Sequence, residues 1–327
     1  MPTNLPPDYF AAQERYRVAQ STAEKIACLQ EMLAIIPKHK GTEHLIGDLR
    51  RRLSKLKAAA QAPRKVGKRE SAFSIDRAGA GQAVVVGPAN VGKSALVAAL
   101  TGVALEVGDY PYTTREPTPA MMPWEDIQIQ LIDTPPLSAD YVEPELRQLI
   151  RRADLIVLVV DVQTDPLQQL QETSELLLQW RIAPRQRRGL PSDTPNMLYV
   201  PFLVAANKCD DAQCDEFYEI FQALAEGWTS LPISAATGRN LAALKRAIFE
   251  GLEIIRVYTK VPGKEPDRQK PFVLPRGSTV ADLAAKIHHD LLERLSVARV
   301  WGSGVFDGQS VGREHVLHDG DVVEIHT

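Results

Sequence analysis

Cysteine is scarce in this chain: three residues in 327, Cys28, Cys209 and Cys214. So small and odd a set excludes a disulfide-stapled scaffold and fits a reducing compartment. Cys209 and Cys214 have no second pair at zinc-finger spacing, so they are not read as a metal site. Long hydrophobic runs are absent too. The strongest, Leu155 to Val160, stops at Asp161, far short of the ~18–20 residues that span a bilayer. The opening MPTNLPPDYF lacks the basic start and apolar stretch of a secretory signal. Nor does either sign of charge dominate: 38 basic against 41 acidic residues leave a net charge of −3. Whole-chain electrostatics therefore do not mark a nucleic-acid binder. What remains is ordinary: 44% hydrophobic and 24% charged residues, as in soluble folded proteins. The expectation is a soluble cytoplasmic protein, with no membrane partner, of about two domains and a small appendage.

The charge that is present is uneven. Nine Lys/Arg and no acid lie between Arg50 and Arg69. Upstream, Ser21-Thr-Ala-Glu24 reads as a capping box, followed by Ile26, Leu29, Leu33 and Ile36 at helical spacing. A second stripe, Leu45, Leu49, Leu53 and Leu56, follows the Gly41-Thr42 break. The two stripes predict an antiparallel helical hairpin in a basic N-terminal region, residues 1–70. The basic run is either a solvated face or a contact for a phosphate backbone.

Beyond Gly81, short β-rich runs alternate with helical ones. Ala83–Val86, Ile127–Ile132, Leu155–Val160, Phe202–Ala206 and Leu231–Ile233 read as strands. Segments near Lys93–Leu100, Pro144–Arg152 and Pro166–Trp180, and from Asn240 to about Ile255, read as helices. This alternation predicts an α/β domain over 80–257 with a mostly parallel sheet and ligands at the carboxyl ends of its strands. A Pro- and charge-rich break, Val261 to Asp267, is expected to separate it from a last domain at 262–327.

Gly87-Pro-Ala-Asn-Val-Gly-Lys-Ser94 fits G-x-x-x-x-G-K-[ST] between a strand and a helix, the context a P-loop requires. Its backbone N–H groups, at Ala89, Asn90, Val91, Gly92, Lys93, Ser94 and Ala95, are expected to wrap phosphates. Lys93 would neutralise them, and the Ser94 hydroxyl would ligate Mg²⁺. Asn207-Lys208-Cys209-Asp210 directly follows an apolar strand. A carboxylate at Asp210 can accept from both N1–H and N2–H₂ of guanine, whereas adenine would leave it unpaired. Ser234, Ala235 and Ala236 follow the next strand, where a backbone N–H can meet the guanine O6. Together these segments read as a site for GTP and GDP.

With these motifs in hand, the chain resembles the Obg-related GTPases, and among them the developmentally regulated GTP-binding family. Asp109-Tyr-Pro-Tyr-Thr-Thr114 is similar to that group's switch I, and Asp133-Thr-Pro-Pro136 stands at its D-x-x-G position. Lys270 to Val280, Val300-Trp-Gly302 and His315 to Asp321 resemble a TGS domain, which implies a small β-grasp, ubiquitin-like fold. The resemblance implies a three-part GTPase acting on ribosome or RNA through its basic helices and TGS domain. It implies catalytic roles for Lys93, Thr114 and Asp133, and a Mg²⁺ site of Ser94, Thr114 and Asp133. Thr113 and Thr114 are both candidates, and Thr114 is preferred because its spacing from Ser94 resembles the family's. Only 73 residues separate Asp133 from Asn207, too few for the insert domain of eukaryotic relatives.

Three departures bear on catalysis. Leu137 stands where glutamine-dependent GTPases place a water-orienting Gln, and Arg115 reads as a surface residue rather than an arginine finger, so slow intrinsic hydrolysis is expected. Asn90 matches the asparagine of potassium-activated relatives; it either helps to hold K⁺ or stabilises the loop's turn. Pro136 has no N–H to offer a γ-phosphate. The histidines show no ligand spacing.

Overall fold

The computed structural model describes residues 6–18, 22–37, 42, 45–51, 53, 73–103, 116–137, 143–187 and 196–326. Thr113, Thr114, Arg115 and most of the basic run lie outside the described residues, as do Ser21 and Leu56. The chain divides into two compact units, Met1–Ser71 and Ala72–Thr327.

The described residues of the first unit form three helices: α1 (Pro7–Val18), α2 (Thr22–Ile35) and α3 (45–51). The expected stripes supply buried Leu29, Ile36 and Leu49, with Leu33, Leu45 and Leu53 packed against them. Sequence patterning overlooked α1. Its inward face is Tyr9 and Ala12, supported by Tyr16, rather than an aliphatic stripe.

In the second unit, a six-stranded sheet is built from β1 (Gln82–Val86), β2 (Thr118–Trp124), β3 (Ile127–Asp133), β4 (Leu155–Asp161), β7 (Phe202–Asn207) and β8 (Ser230–Pro232). A separate two-stranded sheet pairs β5 (Ile182–Pro184) with β6 (Leu198–Val200). The six-stranded order is β2-β3-β1-β4-β7-β8, parallel throughout except for the β2–β3 hairpin. Strand β2, TPAMMPW, is not among the strands expected from sequence, and its Pro119 and Pro123 disfavour one. It survives because it lies at the sheet edge, where a missing N–H breaks no ladder on the outer side.

Both faces of the sheet are covered, which is why its central strands are unbroken apolar runs. Val84, Val86, Ile156, Leu158 and Val204 face one core with α5 (Pro144–Arg151) and α6 (Pro166–Gln179). Ala83, Val85, Leu155, Val157 and Leu203 face the other, toward α4 (Lys93–Thr101) and α8 (Leu241–Gly251). Helix α7 (Gln213–Leu224) joins the first core through Cys214, Tyr218 and Phe221.

The C-terminal sheet, order β10-β9-β13-β11-β12, comprises β9 (Ile254–Thr259), β10 (Asp267–Pro275), β11 (Val297–Trp301), β12 (Gln309–Val311) and β13 (Val322–His326). Strand β13 runs parallel to β9, and the remaining pairs are antiparallel. Helix α9 (Val280–Ile287) starts with a capping box from Thr279 and Asp282 and buries Val280, Leu283 and Ala284 against this sheet. Two boundaries are thereby corrected. The helix expected to reach Ile255 stops at Gly251, and the chain reverses through Glu253 at φ +51°. The break at 261–267 is the turn between β9 and β10, so the last domain starts near 254 rather than 262. The β-branched run Ile254-Ile255-Arg-Val257 was the signal.

Arg256 ties the two sheets together. It bonds Asp319 at 2.7 Å within its own domain, and Asp126 at 2.9 Å and Glu125 in the β2–β3 turn. Its guanidinium also lies 5.2 Å from the Phe249 ring centre, and Phe249 stacks on Trp124.

Candidate nucleotide site

Parallel pairing brings the carboxyl ends of the central strands to one edge. Val85 is level with Asp133, Asp161 with Asn207, and Ala206 with Pro232. The described loops singled out above, at Gly87–Ser94, after Asp133, at Asn207–Asp210 and at Ser234–Gly238, leave from that edge, the usual ligand position in an open α/β sheet.

The P-loop is held in a shape that only some residues tolerate. Gly87 has φ +150°, and a Cβ there would sit 2.5 Å from the Val159 carbonyl oxygen. Asn90 is left-handed at φ +63°, a region asparagine tolerates. Helix α4 opens at Lys93, so its N-terminal N–H groups face the loop. Lys93 is buried and donates to the carbonyls of Pro88 at 2.7 Å and Gly87 at 3.1 Å. Burial lowers its pKa to about 8, and the Asp133 charge only partly opposes that. The Ser94 hydroxyl donates to Asp133 at 2.5 Å.

Past Asp133, Thr134 Oγ1 donates to the Val85 carbonyl, and the Leu137 N–H donates to the Gly87 carbonyl at 3.1 Å. The start of this loop is thus docked on the P-loop, with Leu137 buried.

Asn207 joins three loops. Its side-chain amide donates to the Val91 carbonyl in the P-loop at 2.8 Å, and its side-chain oxygen accepts from the Ala235 N–H at 3.0 Å. The Ser234 hydroxyl donates to Asp210 at 2.5 Å and accepts from the Thr237 N–H. The structure therefore brings together Val91, Gly92, Lys93, Ser94, Asp133, Asn207, Asp210, Ser234 and Ala235. Ala89, Asn90 and Ala236 lie in the same loops, and Ala95 in the first turn of α4.

Sequence reasoning missed three supporting side chains. Asp161, buried at the end of β4, accepts from Lys208 Nζ at 2.6 Å. Gln163 donates to the Lys208 carbonyl at 2.9 Å. Arg239 bonds Asp215 at 2.5 Å and the Cys209 carbonyl at 3.3 Å. The position of Asp161, ending an apolar strand like Asp133, was the available signal. Cys209 is structural: burial pushes its thiol up to about 11.

Among the described residues no helix is long and apolar enough to cross a membrane. None of them form a cluster of three or more His, Cys, Asp or Glu able to hold a metal. A magnesium site made of a hydroxyl and a carboxylate needs no such cluster, because Mg²⁺ keeps several waters.

Residues 82–187 match the family model for the 50S ribosome-binding GTPases, and residues 255–327 match the TGS domain. The chain is 31% identical to an uncharacterised GTP-binding protein of Methanocaldococcus jannaschii over 360 residues, covering 92% of both. It is 30% identical to Developmentally-regulated GTP-binding protein 1 of Xenopus laevis, covering 93% of this chain and 98% of the relative. A GTP-binding protein structure from Pyrococcus horikoshii superposes with a TM-score of 0.51 at 18% identity, over 75% of this chain and 99% of that one, supporting the fold. With a P-loop GTPase sheet followed by a TGS domain, this chain belongs to the developmentally regulated GTP-binding protein family.

Proposed function

We propose that the protein is a GTP-hydrolysing switch that acts on the ribosome or RNA and turns over slowly unaided. The observation that carries this reading is the bridge through Asn207. One side chain ties the phosphate-binding loop to both base-contacting loops, so phosphate and base are gripped by a single hydrogen-bonded frame. The Ser234 bond to Asp210 supports a role for this carboxylate as acceptor of both guanine donors. Asp210→Asn is expected to weaken GTP binding by roughly tenfold to a hundredfold, the worth of a charge-assisted hydrogen bond of about 1.5–3 kcal/mol. The same change should improve xanthosine triphosphate binding. Equal wild-type affinity for ATP and GTP, measured by competition, would overturn the guanine assignment.

Ser94 and Asp133 form an all-oxygen pair that would hold Mg²⁺, and Thr114 is expected to complete the set in the GTP state. The ion would neutralise charge on the β- and γ-phosphate oxygens. Lys93 would leave its two carbonyl acceptors for those oxygens. Because burial holds Lys93 near 8, phosphate binding should draw a proton onto it at higher pH. Above about pH 8, GDP affinity is expected to fall by up to about tenfold per unit, with uptake of one proton. Calorimetry in buffers of different ionisation heat would read that uptake, and a flat profile from pH 7 to 10 would contradict it.

Hydrolysis is proposed to be slow because Leu137 replaces the water-orienting glutamine and is buried. Single-turnover rates with and without ribosomes separate a switch from an adaptor that binds GTP and scarcely cleaves it. The same assay in K⁺ and in Na⁺ tests whether Asn90 serves a cation beyond its left-handed turn.

Pro136 carries a sharper consequence. It has no N–H for the γ-phosphate, and the next donor, Leu137, is committed to the Gly87 carbonyl. GTP is therefore sensed mainly through the loop of Thr114, with weak discrimination from GDP. Pro136→Gly is expected to improve the ratio of GTP-analogue to GDP affinity by roughly tenfold or more. An unchanged ratio would mean that another donor already serves this phosphate.

A further inference from the structure

Outside the nucleotide site, the described residues of the second unit include an exposed apolar strip. On α7, Phe217, Ile220 and Leu224 are 40%, 60% and 60% exposed. Their spacing of three and four places them along one face of the helix. The other face, with Cys214, Tyr218 and Phe221, is buried in the core. Beside the exposed face is a groove of about 270 Å³ running to the start of α6, floored by Val162, Pro166, Leu167 and Phe221. Single exposed apolar residues are ordinary, but a contiguous strip beside a groove marks a binding surface.

Asp165 is the charged residue that lines the groove, and the charge on the segments that form it is mostly acidic. Five Asp/Glu and no Lys/Arg lie between Ala153 and Trp180, and six Asp/Glu and no Lys/Arg between Cys209 and Gly238. Several of these acids already have cationic partners: Asp154 with Arg77, Asp161 with Lys208, and Asp215 with Arg239. Asp165, Asp211, Glu216 and Glu219 make no ion pair with any described residue and remain to set the local field. Asp165 lines the groove, and Glu216 and Glu219 flank Phe217 on α7.

We propose that this groove docks a basic amphipathic helix from a protein partner. Its apolar stripe would cover Phe217, Ile220 and Leu224, as in helix-in-groove recognition. Its Lys or Arg residues would meet the acidic rim, which steers the encounter. The acidic rim repels the phosphates of RNA and of anionic lipid, which argues for protein. This docking is additional to the ribosome or RNA reading and does not depend on hydrolysis. Gln163, at the groove's edge, also donates to the Lys208 carbonyl, so an occupant would lie against the base-contacting loop.

The test uses the full chain with bound GDP and a fluorescent helical peptide carrying Leu on one face and Lys on the other. Anisotropy should show saturable binding that weakens as salt rises, and hydrogen exchange should slow in α6 and α7. Ile220→Asp with Leu224→Asp, both at exposed positions, should weaken binding at least about tenfold. Glu216→Lys with Glu219→Lys should do the same without removing apolar area, and unchanged GDP affinity in both variants verifies the fold. The proposal is overturned by equal binding of a Leu/Glu peptide, by exchange protection elsewhere, or by affinity that both variants retain. Protection of α6 and α7 by single-stranded RNA or phosphatidylglycerol vesicles in place of the peptide also overturns it, as does self-association through this face.

Discussion

Arg256→Met is expected to lower the unfolding free energy by about 3 kcal/mol, the lower end of the range for breaking a buried ion pair. The guanidinium is nearly buried and gathers Asp319, Asp126 and Glu125 around itself. Methionine fills much of the volume and leaves three carboxylates facing one another. The lower end applies because Glu125 and Asp319 keep solvent contact, which screens their repulsion. Acidification supplies the sign check. Burial alone pushes the Asp126 carboxyl up, but bonds from Tyr258 and Arg256 outweigh it and hold it below the usual 3.8. A carboxylate held low stabilises the fold fully above its unfolded value and loses that contribution as pH falls through its folded value. The variant lacks the Arg256 part of this stabilisation, so its deficit should be largest near neutrality and shrink below about pH 4. Urea unfolding of both proteins across that range measures it. A constant deficit would assign the loss to packing on Phe249 instead.

Gly92→Ala should weaken nucleotide binding by more than about a hundredfold while leaving the protein folded. Gly92 has φ +88°, and a Cβ there would stand 2.4 Å from the Asn207 amide nitrogen. The Asn207 side chain would have to leave, and its bonds to Val91 and Ala235 would leave with it. Left-handed backbone costs an alanine about 1–2 kcal/mol, and each buried polar group left unpaired about 1–3 kcal/mol. Nucleotide would have to restore the displaced frame against these costs, which together exceed about 3 kcal/mol, or more than a hundredfold in affinity. Gly102→Ala is the control. That residue is also left-handed, at φ +75°, but nothing lies within 4 Å of its added Cβ. It should lose about 1 kcal/mol of stability and bind GDP normally. Equal nucleotide affinity in the two variants would show that the contact with Asn207 does not matter.

The sequence by itself determined the class of the fold and contained the residues of the candidate site. Gly87 to Ser94 and Asn207 to Asp210 are contiguous segments whose function depends on backbone shape and residue type, and both survive in a linear string. The buried strands were equally legible, because a sheet covered on both faces must be apolar at every position. What tertiary structure decided was everything that depends on neighbours distant in the chain. The Pro-containing strand Thr118–Trp124 is allowed only because it falls at the sheet's edge. The Ile254–Thr259 strand belongs to the last domain because β13 and β10 are there to pair with it. Asp161 became part of the site only when pairing set it level with Asn207, within reach of Lys208. Whether Leu137 had a free N–H was likewise invisible, since its acceptor, the Gly87 carbonyl, lies fifty residues earlier. Hydrogen-bond partners of that kind are fixed by sheet register and loop docking, which local residue patterns do not encode.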